Sequence, residues 1–286
     1  MKSIKQLKGR GLLQKRLLII LTSLVLLVSG FVSGIFFVQR SDADTYQNPQ
    51  KSRLDQIIAQ GKIRVGTTGD YKPFTYWNPT TKQYEGYDID AAKMLANDLG
   101  VKVEFVKTTW STMMQDLQNN KFDIAMGGIT RTLLRQKTAN LSDPYIQDGK
   151  SPLIRSSDKD KFKTLADIDK PDVKIAVNPG GTNEKFVKEN IKNAQIITVQ
   201  NNLEIPKMVA EGQVDVMITD TTEARYYANQ DNRLLAILTE NPFNLHENGY
   251  LMQRGDLDFQ NWINLWMDEM KLHGKFKELE KKWISG

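Results

Sequence analysis

Val177-Asn178-Pro179-Gly180-Gly181-Thr182-Asn183-Glu184-Lys185-Phe186 is the stretch on which the reading of this chain turns. The apolar run that leads into it, 174–177, predicts a strand. Pro179, Gly180 and Gly181 predict a tight turn, and Thr182 or Asn183 the cap of a following helix. A strand, a glycine turn and a helix start leave backbone N–H groups unpaired and aimed at one point, which favours an anion there. Glu184 falls in the first turn of that helix. An acid in this position is common because it complements the helix dipole. Its significance depends on the residues that join it.

The same unit recurs outward in both directions. Apolar runs at 62–67, 101–106 and 123–126 read as strands, with helices at 89–99 and 111–118 between them. Downstream, strands at 195–199 and 214–219 alternate with helices at 184–190, 203–211 and 223–229. Short strands separated by helices predict an α/β fold of mostly parallel sheets covered on both faces. The segment Asp116-Leu117-Gln118-Asn119-Asn120-Lys121-Phe122-Asp123-Ile124-Ala125 echoes Met208-Val209-Ala210-Glu211-Gly212-Gln213-Val214-Asp215-Val216-Met217. Each is a helix end, a turn, an apolar residue, an Asp and a buried strand, which suggests two lobes of similar architecture. Segments near 149–155 and 244–253 read as crossings between them. The expected division is therefore 52–150 with 249–286 as lobe 1 and 151–248 as lobe 2, with a ligand cleft between. Helices at 258–272 and 275–283, broken at Gly274, return to lobe 1; Trp262, Trp266 and Met270 recur at helical spacing and face its core.

The net charge of +5 over 286 residues is a property of one end of the chain. Residues 1–40 hold seven of the 39 basic residues and no acid, which leaves 32 basic against 34 acidic residues, or −2, for the remainder. The basic balance thus carries no nucleic-acid signal; it belongs to an export segment. Residues 17–38 form 22 consecutive uncharged positions after six basic ones, long enough to cross a bilayer as a helix. Two outcomes stay open: an anchor in the inner membrane, or a signal peptide cleaved near Ser29, Gly30, Ser33 and Gly34. Either one sends the globular part to the periplasm, after a polar linker at 41–51. No cysteine is present, which excludes disulfides, thiolate catalysis and cysteine-ligated metal. His246 and His273 are too few and too separated for a metal site or a triad, and read as surface residues. No Gly-x-x-x-x-Gly-Lys motif is present. No metal is expected, and a homo-oligomer is left open.

Ligands of parallel sheets sit beyond the C-terminal strand ends. Those ends carry Thr67-Thr68-Gly69-Asp70-Tyr71, Thr108-Thr109-Trp110, Gly127-Gly128-Ile129-Thr130, Asn178 to Glu184, and Thr219-Asp220, with Arg135 nearby. Hydroxyls, glycines, a Trp, acids and an Arg suit a small ligand with a carboxylate and an apolar or ring portion.

Residues 62–73, 86–92, 122–128, 142–145 and 214–220 resemble the periplasmic amino-acid-binding proteins of ABC transporters, a resemblance that covers 52–286. Several stretches are more specifically similar to the cyclohexadienyl dehydratases built on that fold. They are Thr67-Thr68-Gly69-Asp70-Tyr71-Lys72-Pro73, Thr108-Thr109-Trp110-Ser111, Arg135-Gln136-Lys137, Asp148-Gly149-Lys150, Asn178 to Glu184, and Asp215 to Asp220. The resemblance implies removal of water and carbon dioxide from prephenate, giving phenylpyruvate, or from arogenate, giving phenylalanine, without a cofactor. It implies Glu184 as the general acid. An unperturbed Glu is only ~0.2% protonated at neutral pH, so desolvation and a dianionic substrate would have to raise its pKa. It further implies Arg135, with Thr130 and the Gly127-Gly128 backbone, as the carboxylate grip, Trp110 against the ring, and Lys150 at a second carboxylate. Asp70, Tyr71, Gly181, Thr182 and Asn183 complete the expected site. Asp220 matches the aspartate that holds the α-amino group of amino-acid ligands, so a non-catalytic receptor for a polar or cationic amino acid is the alternative reading.

Overall fold

The structure is a computed structural model that describes residues 51–285; the expected export segment 1–40, and all of the linker but Lys51, lie outside the described residues. Helix α1 (Arg53–Gln60) leads into strand β1 (Lys62–Thr67), and a small flap follows: β2 (Asp70–Tyr71), β3 (Thr75–Asn78) and β4 (Gln83–Glu85). Next come α2 (Tyr87–Asp98), β5 (Lys102–Lys107), α3 (Met113–Gln118), β6 (Ile124–Ala125), α4 (Leu133–Gln136) and β7 (Ala139–Leu141). The chain then crosses through β8 (Ile146–Asp148) into β9 (Lys150–Arg155), α5 (Leu165–Ile168), β10 (Lys174–Val177) and α6 (Thr182–Asn190). The second half continues with β11 (Gln195–Thr198), a 3₁₀ turn at Asn202–Glu204, α7 (Ile205–Ala210), β12 (Val216–Asp220), α8 (Thr221–Gln230) and β13 (Leu234–Ala236). It returns through β14 (His246–Asn248) to β15 (Leu251–Gln253), α9 (Leu257–Leu272) and α10 (Lys275–Trp283). Among the described residues no helix is long and apolar enough to cross a membrane.

Two five-stranded sheets make two lobes, in the orders β5-β1-β6-β15-β7 and β11-β10-β12-β9-β13. In each, four strands run in one direction, as the alternating pattern predicts, and one, β15 or β9, runs against them. Strands next to the crossings, β9 and β15, enter their sheets from the hinge side and so run against the others. The crossings themselves are β8 and β14, which pair antiparallel with His246 opposite Asp148. Residues 150–155, read from sequence as the first crossing, are instead a buried strand of lobe 2.

The internal echo has a physical cause. Asp123 accepts the Arg64 backbone N–H at 2.7 Å and its guanidinium at 2.7 Å. Asp215 does the same in lobe 2, taking the Lys174 N–H at 2.9 Å and the Arg155 guanidinium at 2.7 Å. Each lobe thus pins the start of its central strand with an aspartate placed just before the neighbouring one.

Ile63 and Val65 of β1 and Ile175 and Val177 of β10 are buried, each worth roughly 1.5–3 kcal/mol of burial. Trp266 and Met270 are buried in lobe 1 and Trp262 packs against the same core. Asp256 caps α9 through the Phe259 N–H at 2.9 Å and also accepts from Ser52, the residue that caps α1. The returning C-terminal helix is therefore tied to the first helix of the same lobe.

Candidate active site

The C-terminal ends of the parallel strands in the two lobes face each other. From lobe 1, Tyr71, Trp110, Gly128 and Thr130 line a small, tightly closed space. Asn178, Gly181, Thr182, Asn183 and Asp220 line it from lobe 2. The lobes are in contact around it: the Tyr71 hydroxyl donates to Asp220, and the Thr130 and Thr182 hydroxyls lie 3.1 Å apart. Gly128 has φ +66°, and a β-carbon there would come within 2.7 Å of the Tyr71 ring, so the close wall requires glycine. Trp110 meets Tyr71 edge-on with ring centroids 5.3 Å apart, and Asp70 fixes its indole by accepting the Nε1–H at 3.1 Å. Burial pushes the Asp70 pKa up.

The turn at 178–184 forms as predicted up to its cap. Gly181, not Thr182 or Asn183, is the N-cap of α6, with no side-chain hydrogen bond to the helix. Both expected caps are engaged elsewhere: Lys150 Nζ donates to Thr182 Oγ1 at 3.0 Å and to Asn183 Oδ1, and Asn183 Nδ2 donates to Thr219 Oγ1 at 3.0 Å.

Lys150 is 1% exposed and forms a buried ion pair with Asp220. Burial alone would push the Asp220 carboxyl up, but the Lys150 charge, joined by His246, holds it well below the usual carboxylate range. His246 Nε2 lies 3.3 Å from Asp220 and its side chain is 8% exposed, which corrects the surface reading of this residue. It sits on β14, where the crossing tucks its side chain beneath the cleft. His273 is exposed beside Glu269.

Arg135 lies one layer out from the lining residues. Thr132 caps its short helix, and Arg135 Nη1 donates to the Thr130 carbonyl at 2.6 Å. Burial pulls its pKa down to about 10, opposed by the Asp220 charge, so it remains a cation at neutral pH.

Glu184 does not line the space. Its carboxylate turns back to accept the Gly180 N–H at 2.8 Å and pairs with Lys188 at 2.6 Å, one helical turn on. These two partners hold its pKa below the ordinary glutamate value, against a small effect of burial. The backbone donor and the lysine favour its ionised form, and the expected rise in pKa depends on a bound dianionic substrate.

A second glutamate, missed in the sequence, has the opposite environment. Glu223 is fully buried at the third position of α8, where it meets the Thr219 hydroxyl and accepts from Asn202 Nδ2 at 2.7 Å. Burial, with the charges of Asp220 and Asp70, pushes its pKa well above the usual range in spite of those hydrogen bonds. It stands directly behind Thr219, Asp220 and Tyr71, whose phenol is pushed up in part by the Glu223 charge. A signal was present in the sequence: Thr221-Thr222-Glu223 opens the helix after β12 as Thr182-Asn183-Glu184 opens the helix after β10, with no turn between strand and helix in the first case and a four-residue turn in the second.

Two α/β lobes that close on a small polar space at their strand ends define a ligand-binding protein of the two-lobed extracellular class. The chain belongs to the bacterial extracellular solute-binding proteins, family 3, whose family model matches residues 63–286. It is 41% identical over 235 residues to a cyclohexadienyl dehydratase of Pseudomonas aeruginosa, covering 82% of this chain and 87% of that one. Among solved structures, an ancestral amino acid-binding protein described as a precursor of cyclohexadienyl dehydratase is 41% identical with a TM-score of 0.76, covering 82% of this chain and all of that one. An ancestral cyclohexadienyl dehydratase is 56% identical with a TM-score of 0.54, covering 84% and 100%.

Proposed function

We propose that this chain is a cyclohexadienyl dehydratase, converting prephenate to phenylpyruvate or L-arogenate to L-phenylalanine with loss of water and carbon dioxide. The observation that carries the reading is the 41% identity to a cyclohexadienyl dehydratase over most of the chain, joined to a polar space closed between the two lobes. The ring hydroxyl leaves only as water. A neutral carboxyl supplies the proton as the C–O bond breaks, the ring carboxylate departs as carbon dioxide, and its bonding electrons complete the aromatic ring. Glu184, in the first turn of α6 beside Gly181, Thr182 and Asn183 of the ligand space, is left as a carboxylate and regains its proton from water. The resemblance implies Glu184 for this step: its partners favour the ionised form, and desolvation with a dianionic substrate raises its pKa toward that of a donor.

Arg135 takes the side-chain carboxylate with Thr130 and the Gly128 backbone, and Trp110 packs on the ring. Asp220 is already neutralised by Lys150, so an α-ammonium group finds its usual partner occupied. That pairing supports prephenate over arogenate as substrate. The reaction takes place outside the cytoplasm, and residues 17–38 are either the inner-membrane anchor or a cleaved signal.

A receptor for a polar or cationic amino acid is the second reading, favoured by Asp220 in the cleft and by the likeness to an ancestral amino acid-binding protein. Incubating the purified protein with prephenate and with arogenate, while following the ultraviolet absorbance of the aromatic product, separates the two. Turnover, faster with prephenate, is expected. Tight binding of lysine or arginine with neither substrate consumed would establish the receptor.

A further inference from the structure

The two crossings between the lobes, β8 and β14, form one antiparallel ribbon in which His246 stands directly opposite Asp148. Residues paired in this way share a face of the ribbon. That face turns inward, and both side chains are buried. Glu247, on the outer face, pairs with Arg131 instead. From the inner face His246 Nε2 comes within 3.3 Å of Asp220 Oδ1, the carboxylate that also meets Lys150 and the Tyr71 hydroxyl in the ligand space. Neither imidazole nitrogen completes a well-aligned hydrogen bond, and Asp148 Oδ2 accepts none. Buried polar atoms are rarely left in that state. A neutral imidazole has one N–H and cannot serve two carboxylates; the protonated ring has two, one for each.

We infer that His246 is a specificity-determining residue whose proton sets the charge of the ligand space, so that an anionic ligand binds together with a proton at the hinge. The inference rests on the proposed reading of a dianionic substrate and deepens it. The charged groups that face the imidazole are Asp148 of β8 and Asp220 at the end of β12. Lys150 of β9 and Arg135 of α4 act on the same Asp220 carboxylate, and Tyr71 of β2 meets it as a phenol. Burial pushes the Asp148 carboxyl up, and the His246 charge opposes that rise. With the ring neutral, two carboxylates and two cations balance. A proton on His246 adds the one positive charge left over. In a cleft closed to water that charge acts at low dielectric on whatever lies against Asp220. An anion is drawn in and a second ammonium group is opposed. By reciprocity, a bound anion tightens the hold of His246 on its proton. Imidazole is the side chain whose charge ordinarily changes between about pH 5 and pH 8, so the preference follows the pH outside the cytoplasm.

The chain has two histidines, so the untagged protein gives two imidazole resonances, assigned by the loss of one in His246→Gln. The His246 resonance should titrate between about pH 5 and pH 8, and bound phenylpyruvate should raise its midpoint by about one pH unit. With prephenate, kcat/KM should fall about tenfold as pH rises across that range, carried by KM, while kcat changes by less than about threefold. His246→Gln, neutral at every pH, should flatten that limb, with His246→Asn in its place should the first fail to fold. A histidine that only packs would lower stability and leave the limb where it is. A resonance that does not titrate, a midpoint unmoved by phenylpyruvate, or a limb that survives in His246→Gln overturns the inference. If neither prephenate nor arogenate is consumed, the dehydratase reading falls, and the ligand-free titration still decides this one. Asp220→Asn should then lower the His246 midpoint by about one pH unit. An unmoved midpoint rejects the coupling of His246 to the ligand space.

Discussion

Lobe 2 runs a parallel strand into a helix with an acid in its first turn twice, and the two junctions shift their acids in opposite directions. Strand β10 runs into α6 with Glu184 third in the helix; strand β12 runs into α8 with Glu223 third. Both acids sit where the helix dipole stabilises a negative charge. Glu184 is 17% exposed, accepts a backbone N–H and meets Lys188 one turn along. Glu223 is buried, and the charges nearest to it are the carboxylates of Asp220 and Asp70. The dipole is common to both, so burial and neighbours decide. The direction of each shift therefore follows from what touches the acid rather than from the helix it starts.

The largest effect that could break this comparison is in kcat. Glu184→Gln keeps shape and hydrogen bonding but removes the transferable proton, and should lower kcat by ~10²–10⁴-fold, or roughly 3–5 kcal/mol, with little change in KM. Glu223→Gln should cost less than about tenfold. The opposite order would move the acid's role to Glu223.

Arg135 sharpens the contrast by separating binding from chemistry. Arg135→Ala should weaken substrate binding by ~2–5 kcal/mol, seen in KM or by calorimetry with phenylpyruvate. Lysine should restore only part of it, lacking the planar fork. Unchanged affinity would move the carboxylate site elsewhere.

Asp88 extends the comparison to lobe 1. It is buried, accepts the Gly128 N–H at 2.6 Å and the Tyr145 hydroxyl at 2.7 Å, and burial pushes its pKa up to about 7. The folded state then binds a proton that the unfolded chain, with its ordinary aspartate pKa near 4, has released. Stability should fall as pH rises from about 4 to about 7 and level off above, a contribution on the order of 3 kcal/mol. Thermal melts across that range should show the fall, and Asp88→Asn should flatten it.

The smallest effect belongs to Glu184, with the opposite sign. Its depressed pKa adds stability that is present above the unfolded glutamate value and is lost as pH falls through the folded one. Glu184→Gln should cost only ~0.5–1 kcal/mol at neutral pH, measured by denaturant unfolding, because Lys188 is largely solvated.

Much of this was legible in the chain. The central strands β1, β10 and β12 stand where apolar runs placed them, because fully buried strands must be nearly continuous in apolar residues. The flap β2–β4 was not legible, since strands of two to four residues set no period. Helix α2 begins at Tyr87, two residues before the expected start, with Tyr87 and Asp88 buried beneath it. Of the expected site, Tyr71, Trp110, Gly128, Thr130, Gly181, Thr182, Asn183 and Asp220 line one space. Glu223 and His246 escaped because a single sequence gives a residue's type and not its depth. Each takes its character from burial among carboxylates that are distant in the chain.

Gly180 shows how such a cleft can be tuned from outside it. The residue has φ +89°, and a β-carbon there would lie 2.5 Å from the Ser111 backbone nitrogen and 2.6 Å from its Cα across the cleft. That clash exists only when the lobes are together. A methyl group at 180 would therefore act as a doorstop, shifting the population toward the open form without touching any residue of the pocket. Apparent affinity falls in proportion to the closed fraction, so this one position works as a gain control on the whole protein, independent of which ligand it holds.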